Sequence, residues 1–361
     1  MPSTDQTEDQ TDQTSETGPP VAIRVRGLRK SFGGGKERRN ALDGLDLTVA
    51  DGSVHAVLGP NGAGKSTAVR VLTTLLRPSG GSAEVAGFDV VLEPDQVRYR
   101  IGLVGQHAAL DEELSGRQNL ELFGRLYHLG GRDAARRAVE LLDRFGLTET
   151  GRRAVRHYSG GMRRRLDLAA SLITRPRILF LDEPTTGLDP RGRTEVWRAV
   201  RSLADEGVTV LLTTQYLEEA DQLADRISLL DNGRRIAEGT ADQLKSEVGG
   251  DRIDIVVRDP ERLAAAGALL RRVPGTDRFA DDPDRRLVSA GVDDRMRALA
   301  ETVRALTEAG IEAEDIALRR PTLDEVYLRL TDAPLTDAPL TDALLTDGPR
   351  TDDQRPTEAP V

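Results

Sequence analysis

The run Gly59-Pro-Asn-Gly-Ala-Gly-Lys-Ser-Thr67 has the spacing of a loop that cradles a polyphosphate. Glycines at 59, 62 and 64 let successive backbone N–H groups, including those of Asn61 and Ala63, converge on phosphate oxygens, and the helix that follows adds partial positive charge. Lys65 would reach the β- and γ-phosphates, and Ser66, next to Thr67, would offer its hydroxyl to Mg²⁺. A structural glycine turn explains the glycines and Pro60 but not the Lys-Ser-Thr ending. Such a site also needs carboxylates, and "RILFLDEP" supplies Asp182 and Glu183 after four apolar residues. Asp182 suits a Mg²⁺ ion held through its water shell, and Glu183 suits the polarising of an attacking water. In a third run, "YSGGMRRRLDLA", Ser159, Gly160 and Gly161 open a helix and leave a hydroxyl and free N–H groups at its positive end. Lys65 already has a cradle of its own, so a second anion-binding helix end makes sense if it closes over a nucleotide held by another copy.

The elements around these runs alternate. Apolar runs at 53–59, 177–184, 208–215 and 226–230 read as strands, the second and third of them buried on both faces. Helical spacing follows the loop at 65–76 and recurs at 114–129, 133–145, 162–173 and 191–203. Residues 21–248 therefore read as an α/β domain with a helical insertion over about 107–175. Beyond "SEVGGD", a linker by composition, residues 249–330 read as a small α/β extension closing on the helix "PTLDEVYLRL". Leu323, Val326, Tyr327 and Leu330 of that helix are expected to pack on the extension's own sheet. Residues 1–20 are polar and acidic, and 331–361 repeat in fives as "TDAPL TDAPL TDALL"; both read as disordered tails.

Composition narrows the rest. At 38% apolar residues, a chain of 361 residues can fill a core. It has no cysteine, which excludes disulfides and thiolate metal sites and suits a reducing cytoplasm. His55, His107, His128 and His157 lack ligand spacing. No apolar run approaches the roughly 18 residues of a membrane span, and the N-terminus lacks the features of a secretion signal. The net charge of −10 resides in the tails, leaving a balanced body and no indication of a nucleic-acid partner.

Taken together, the chain resembles the nucleotide-binding subunit of an ABC transporter. Gly59–Thr67 matches the Walker A loop, Ile178–Glu183 the Walker B strand, Ser159–Arg163 the signature motif, and "GLDP" at 187–190 the D-loop. Gln106 falls at the Q-loop, and Phe32 where an aromatic stacks on adenine, although a core phenylalanine would also fit. The resemblance implies a P-loop NTPase of ABC type, with a RecA-like core plus antiparallel β and helical subdomains. It also implies a head-to-tail dimer with ATP and Mg²⁺ between Lys65 of one copy and Ser159 of the other. Gln106 would sense the metal and γ-phosphate, and the helical insertion would dock on a separate permease at the cytoplasmic face of a bacterial membrane. The extension, "TTQYLEEAD" and the closing segment resemble the daunorubicin-resistance branch, which implies an exporter of drugs, antibiotics or other hydrophobic cargo that contacts the permease. Two departures stand out. Tyr158 replaces a leucine, and Gln215 stands where the family has a switch histidine. Glutamine can donate to a phosphate oxygen but cannot exchange a proton, so Glu183 is expected to carry the chemistry and Gln215 to position. A soluble ATPase acting on ribosomes or DNA, and a regulatory module of low turnover, are the rival readings.

Overall fold

The computed structural model describes residues 20–33, 38–106, 108–248 and 250–331. All but Pro20 and Thr331 of the expected tails at 1–20 and 331–361 lie outside these residues, as do 34–37, His107 and Gly249. The described chain opens with the long strands β1 (Val21–Phe32) and β2 (Arg39–Ala50). With β4 (Gly80–Val85) and β5 (Phe88–Asp89) they form an antiparallel sheet in the order β2-β1-β4-β5.

A second sheet carries the chemistry. It comprises β3 (Val54–Leu58), β6 (Ile101–Val104), β7 (Ile178–Asp182), β8 (Thr209–Thr214), β9 (Arg226–Asp231) and β10 (Arg234–Gly239), in the order β10-β9-β3-β8-β7-β6. All its pairings are parallel except that of β10 with β9, which turn through Asn232-Gly233, both at positive φ. The strands read as doubly buried are so because successive side chains enter different cores. In β7, Ile178 and Phe180 face the antiparallel sheet and α1 (Lys65–Leu72), whereas Leu179 and Leu181 face α5 (Gly160–Ser171) and α6 (Pro190–Asp205). The short α2 (Pro94–Arg98) precedes β6. The helical insertion is α3 (Gly116–Leu126), α4 (Gly131–Arg144) and α5, with Ser115 and Gln118 forming a capping box at the start of α3. After β8 come α7 (Leu217–Leu223) and, past β10, α8 (Ala241–Val248). The expected linker thus begins as helix, since α8 runs to Val248.

The extension is a third, antiparallel sheet in the order β12-β13-β11-β14, from β11 (Arg252–Val257), β12 (Thr276–Asp282), β13 (Leu287–Val292) and β14 (Ala313–Arg319). Ile253, Ile255, Val288 and Ala290 meet α9 (Leu263–Leu270) and α10 (Arg295–Glu308) in a core separate from the others. Polar β12 carries no strand signal in its sequence and is held by its edge pairing with β13.

The final helix, α11 (Leu323–Leu330), corrects an expectation. It does not pack on the extension's sheet: Leu323 and Val326 enter the core beneath the parallel sheet, against α7 and α8. The extension's apolar face is already covered by α9 and α10, while Leu223 and Leu244 offer α11 an apolar seat. Tyr327 is only half-buried and Leu330 is exposed; Glu325 reaches back to the extension, pairing with Arg252 of β11 at 2.8 Å.

Candidate functional site

The loop Gly59–Gly64 leaves β3 and runs directly into α1, so its geometry is set at both ends. At Gly59 a Cβ would lie 2.3 Å from the Leu230 carbonyl oxygen at the end of β9. Gly64 has φ 108°, and a Cβ there would lie 2.5 Å from the Ala41 carbonyl oxygen of β2. Only glycine fits either position. The loop borders a cleft of about 440 Å³ whose walls include Phe32, Arg39, Asn61, Lys65, Gln106 and Glu183.

Inside this cleft the functional side chains converge. Lys65 Nζ donates to the Gly59 and Pro60 carbonyls at 2.8 and 3.0 Å and lies 3.5 Å from Glu183 Oε1. Ser66 Oγ donates to Asp182 Oδ1 at 3.0 Å, and Gln106 Nε2 donates to Ser66 Oγ at 3.3 Å. The hydroxyl, carboxylate and amide form the oxygen-rich set that a hard divalent ion such as Mg²⁺ requires. Thr213 was not singled out by its sequence context, yet it fixes both acids. Its hydroxyl donates to Asp182 Oδ1 at 2.6 Å, and its carbonyl accepts from the Glu183 amide at 3.1 Å. Only the β7–β8 register, which sets Asp182 opposite Thr213, reveals this. Glu183 has φ 48°, a left-handed conformation costing a non-glycine residue about 1 kcal/mol. That turn directs its carboxylate toward Lys65 rather than along the strand.

Phe32 is 46% exposed at the cleft wall, so it is not the core phenylalanine that its sequence also allowed. Gln215 follows β8, which lies between the strands leading to the loop and to Glu183. The Gly59 amide donates to the Thr214 carbonyl at 3.3 Å, so residue 215 emerges at the same sheet edge, although it does not line the cleft itself. Ser159, Gly160 and Gly161 are not brought to the cleft. Ser159 caps α5, accepting from the Met162 amide at 3.2 Å, and with Gly160 it is exposed. Tyr158 is buried, and its hydroxyl donates to the Thr150 carbonyl at 2.8 Å. Gly116 makes room for it, since a Cβ there would lie 2.5 Å from that hydroxyl. Tyr158 is therefore accommodated by packing, and Ser159 beside it stays exposed. His55 is a core residue bonded to Ser228 Oγ at 2.9 Å.

Comparison with known proteins gives the family. The family described as "ABC transporter" matches residues 42–186. Over 311 residues, 86% of this chain and 96% of the relative, the sequence is 70% identical to the daunorubicin resistance ATP-binding protein DrrA3 of Streptomyces coeruleorubidus. The chain belongs to the ATP-binding subunits of ABC transporters. It is 51% identical over 321 residues to the daunorubicin/doxorubicin resistance ATP-binding protein DrrA of Streptomyces peucetius, covering 88% of this chain and 94% of that one. It is 38% identical over 327 residues to the Nod factor export ATP-binding protein I of Rhizobium leguminosarum bv. viciae, covering 89% and 98%. The dimeric post-hydrolysis ATP-binding cassette MJ0796, bound to ADP and Pi, superimposes with a TM-score of 0.55 at 26% identity, over 60% of this chain and 98% of that one. As a member of this family the chain binds and hydrolyses ATP as a subunit of an ABC exporter; such subunits dimerise and work with membrane permeases. The ribosomal, DNA-directed and purely regulatory readings are not favoured, since the relatives align with it nearly end to end. Among the described residues no helix is long and apolar enough to cross a membrane.

Proposed function

We propose that two copies of this chain power the export of a drug, antibiotic or similar hydrophobic compound through a separate permease at the cytoplasmic face of a bacterial membrane. The observation that carries this reading is the separation of two half-sites. The Lys65 cleft holds the phosphate loop and both acids, while the exposed Ser159 end of α5 lies apart from it. Each ATP is then held by Phe32 and Gly59–Thr67 of one copy and capped by Ser159, Gly160 and Gly161 of the other. The names of the drug-resistance relatives support the cargo class.

The residues divide the work. Lys65 exchanges its loop carbonyls for phosphate oxygens, and Ser66, Asp182 and Gln106 would hold Mg²⁺. Bound there, the ion supplies positive charge against the phosphate oxygens. Glu183 polarises the attacking water, and Gln215 donates a hydrogen bond toward the γ-phosphate without exchanging a proton. Residues 21–248 are the ATP-binding domain and 249–330 the extension, whose last helix returns to dock on the ATP-binding domain.

A second cleft, of about 330 Å³, suits the permease. Leu75, Ile101, Leu103, Phe123 and Tyr127 line it between the sheet core and the helical insertion, beside Ala109 of the loop that follows Gln106. Tyr99, Leu122 and Leu126 are exposed nearby in sequence, an apolar content that a protein contact would cover. Capture of the tagged Glu183→Gln chain from gently solubilised membranes of its own cell tests the reading. A stoichiometric multi-span protein is expected; recovery with ribosomal or DNA-bound proteins and no permease would overturn it.

A further inference from the structure

One buried cation has no place in the chemistry described above. Arg164, in the second turn of α5, is 8% exposed, and its guanidinium points away from solvent into the junction of three segments. Its Nε donates to the Pro184 carbonyl at 2.7 Å, the residue after Glu183. Its Nη1 donates to the Gly105 carbonyl at 2.6 Å, the residue before Gln106, and its Nη2 to the Asp182 carbonyl at 3.3 Å. One planar fork thus grips the backbone on both sides of Glu183 and immediately before Gln106, from the helix whose first residues are Gly160 and Gly161.

Its counter-charge is Asp167, one turn on, buried and 3.4 Å from Nη1. Asp167 also accepts from the Ala109 amide at 3.4 Å, on the far side of Gln106, and it lines the cleft proposed for the permease. Both contacts are long, while the bonds from Arg164 to Pro184 and Gly105 are short. Burial pushes the Asp167 carboxyl up to about 6 despite the pull of Arg164. A buried guanidinium needs several good acceptors to offset its desolvation, and one acid at 3.4 Å does not supply them. Here the strong bonds run to carbonyls of catalytic segments instead.

We propose that Arg164, braced by Asp167, is a positioning residue that ties the signature helix to the loop carrying Gln106 and to the strand end carrying Glu183. This rests on the ATPase reading only for its functional consequence. The mechanical link stands on the bonds themselves, and it gives a push on the permease cleft a path of four residues to the catalytic acid.

Two variants and two readouts test it. Arg164→Lys keeps the charge but loses the three-way fork. Arg164→Met combined with Asp167→Leu removes the ion pair without leaving an unpaired buried charge, a replacement that cores commonly tolerate. In backbone hydrogen exchange of the nucleotide-free chain, both variants should speed exchange about tenfold or more over 105–110 and over 183–187 together. In steady-state kinetics both should lower kcat about tenfold or more while KM for ATP stays within about twofold. Exchange unchanged in either segment, or confined to α5, would overturn the link. So would a double variant that hydrolyses ATP at the wild-type rate. A wild-type chain that hydrolyses nothing would count against the ATPase reading, and the exchange measurement would still decide the link.

Discussion

Truncating the last helix should weaken the nucleotide-binding core rather than the extension that precedes it. Leu323 and Val326 are 2% and 0% exposed and sit with Leu223 and Leu244 under the parallel sheet. Leu323→Ala removes three carbons, worth about 2.4 kcal/mol in transfer free energy at about 0.8 kcal/mol each, with a cavity contribution on top. A loss of about 3 kcal/mol is expected, and about 2 kcal/mol for Val326→Ala. The two side chains share one hole, so the double variant should fall short of the sum. For a domain of this size such losses lower the melting temperature by roughly 6–12 °C for Leu323→Ala. The chain carries one tryptophan, Trp197 on α6, which packs against the same cluster and so reports on this core alone. Denaturant titration followed at Trp197 should move its midpoint, whereas Ile255→Ala in the extension's separate core should move it far less. An unmoved Trp197 transition in Leu323→Ala, with the extension opening early, would refute the docking of α11 on the nucleotide-binding core.

Other expectations concern catalysis and pH. Glu183→Gln should lower ATP turnover about 10²- to 10⁴-fold while the chain still binds ATP; turnover near wild type would remove Glu183 from its role. Gln215→His should change turnover by less than about tenfold, because proton transfer rests on Glu183; a gain of several orders of magnitude would show that a titrating group was missing. His55 is held down to about 4 by burial, then by the Arg226 and Arg235 charges. Its folded value lies below its ordinary value of 6.5, so it stays neutral in the fold while the unfolded chain takes up a proton. Stability is therefore lost as pH falls from 6.5 toward 4, by about 3 kcal/mol from this group. His55→Asn should remove that slope from the stability profile measured by denaturant melts. Asp167, held above its ordinary range, acts oppositely. It destabilises as pH rises toward about 6, and Asp167→Asn should flatten that limb.

The parts of the molecule that carry short-range signals were readable from residues alone. The phosphate loop and the acid pair after four apolar residues state their geometry within a few positions and meet at one cleft, while Ser159 caps its own helix apart from it. What escaped depends on register and on who covers what. Thr213 becomes meaningful only opposite Asp182, and Arg164 only when three segments meet around it. Polar β12 is a strand because β13 pairs with it, a property its own side chains do not advertise. The amphipathic stripe of α11 announced burial but not the partner. Whether it met the extension or the core depended on which apolar face α9 and α10 had left open.

The central claim, that each ATP site is shared between two copies, is tested most directly by mixing two inactive variants. Lys65→Ala disables the cleft, and Ser159→Glu sets a like charge against the γ-phosphate at the α5 end. In a head-to-tail dimer one site of each mixed pair keeps both wild-type halves. ATP hydrolysis should then reappear on mixing, at about a quarter of the wild-type rate if copies pair at random and sites act independently. No recovery from an equimolar, demonstrably mixed population would mean that Lys65 and Ser159 do not serve the same nucleotide across two chains.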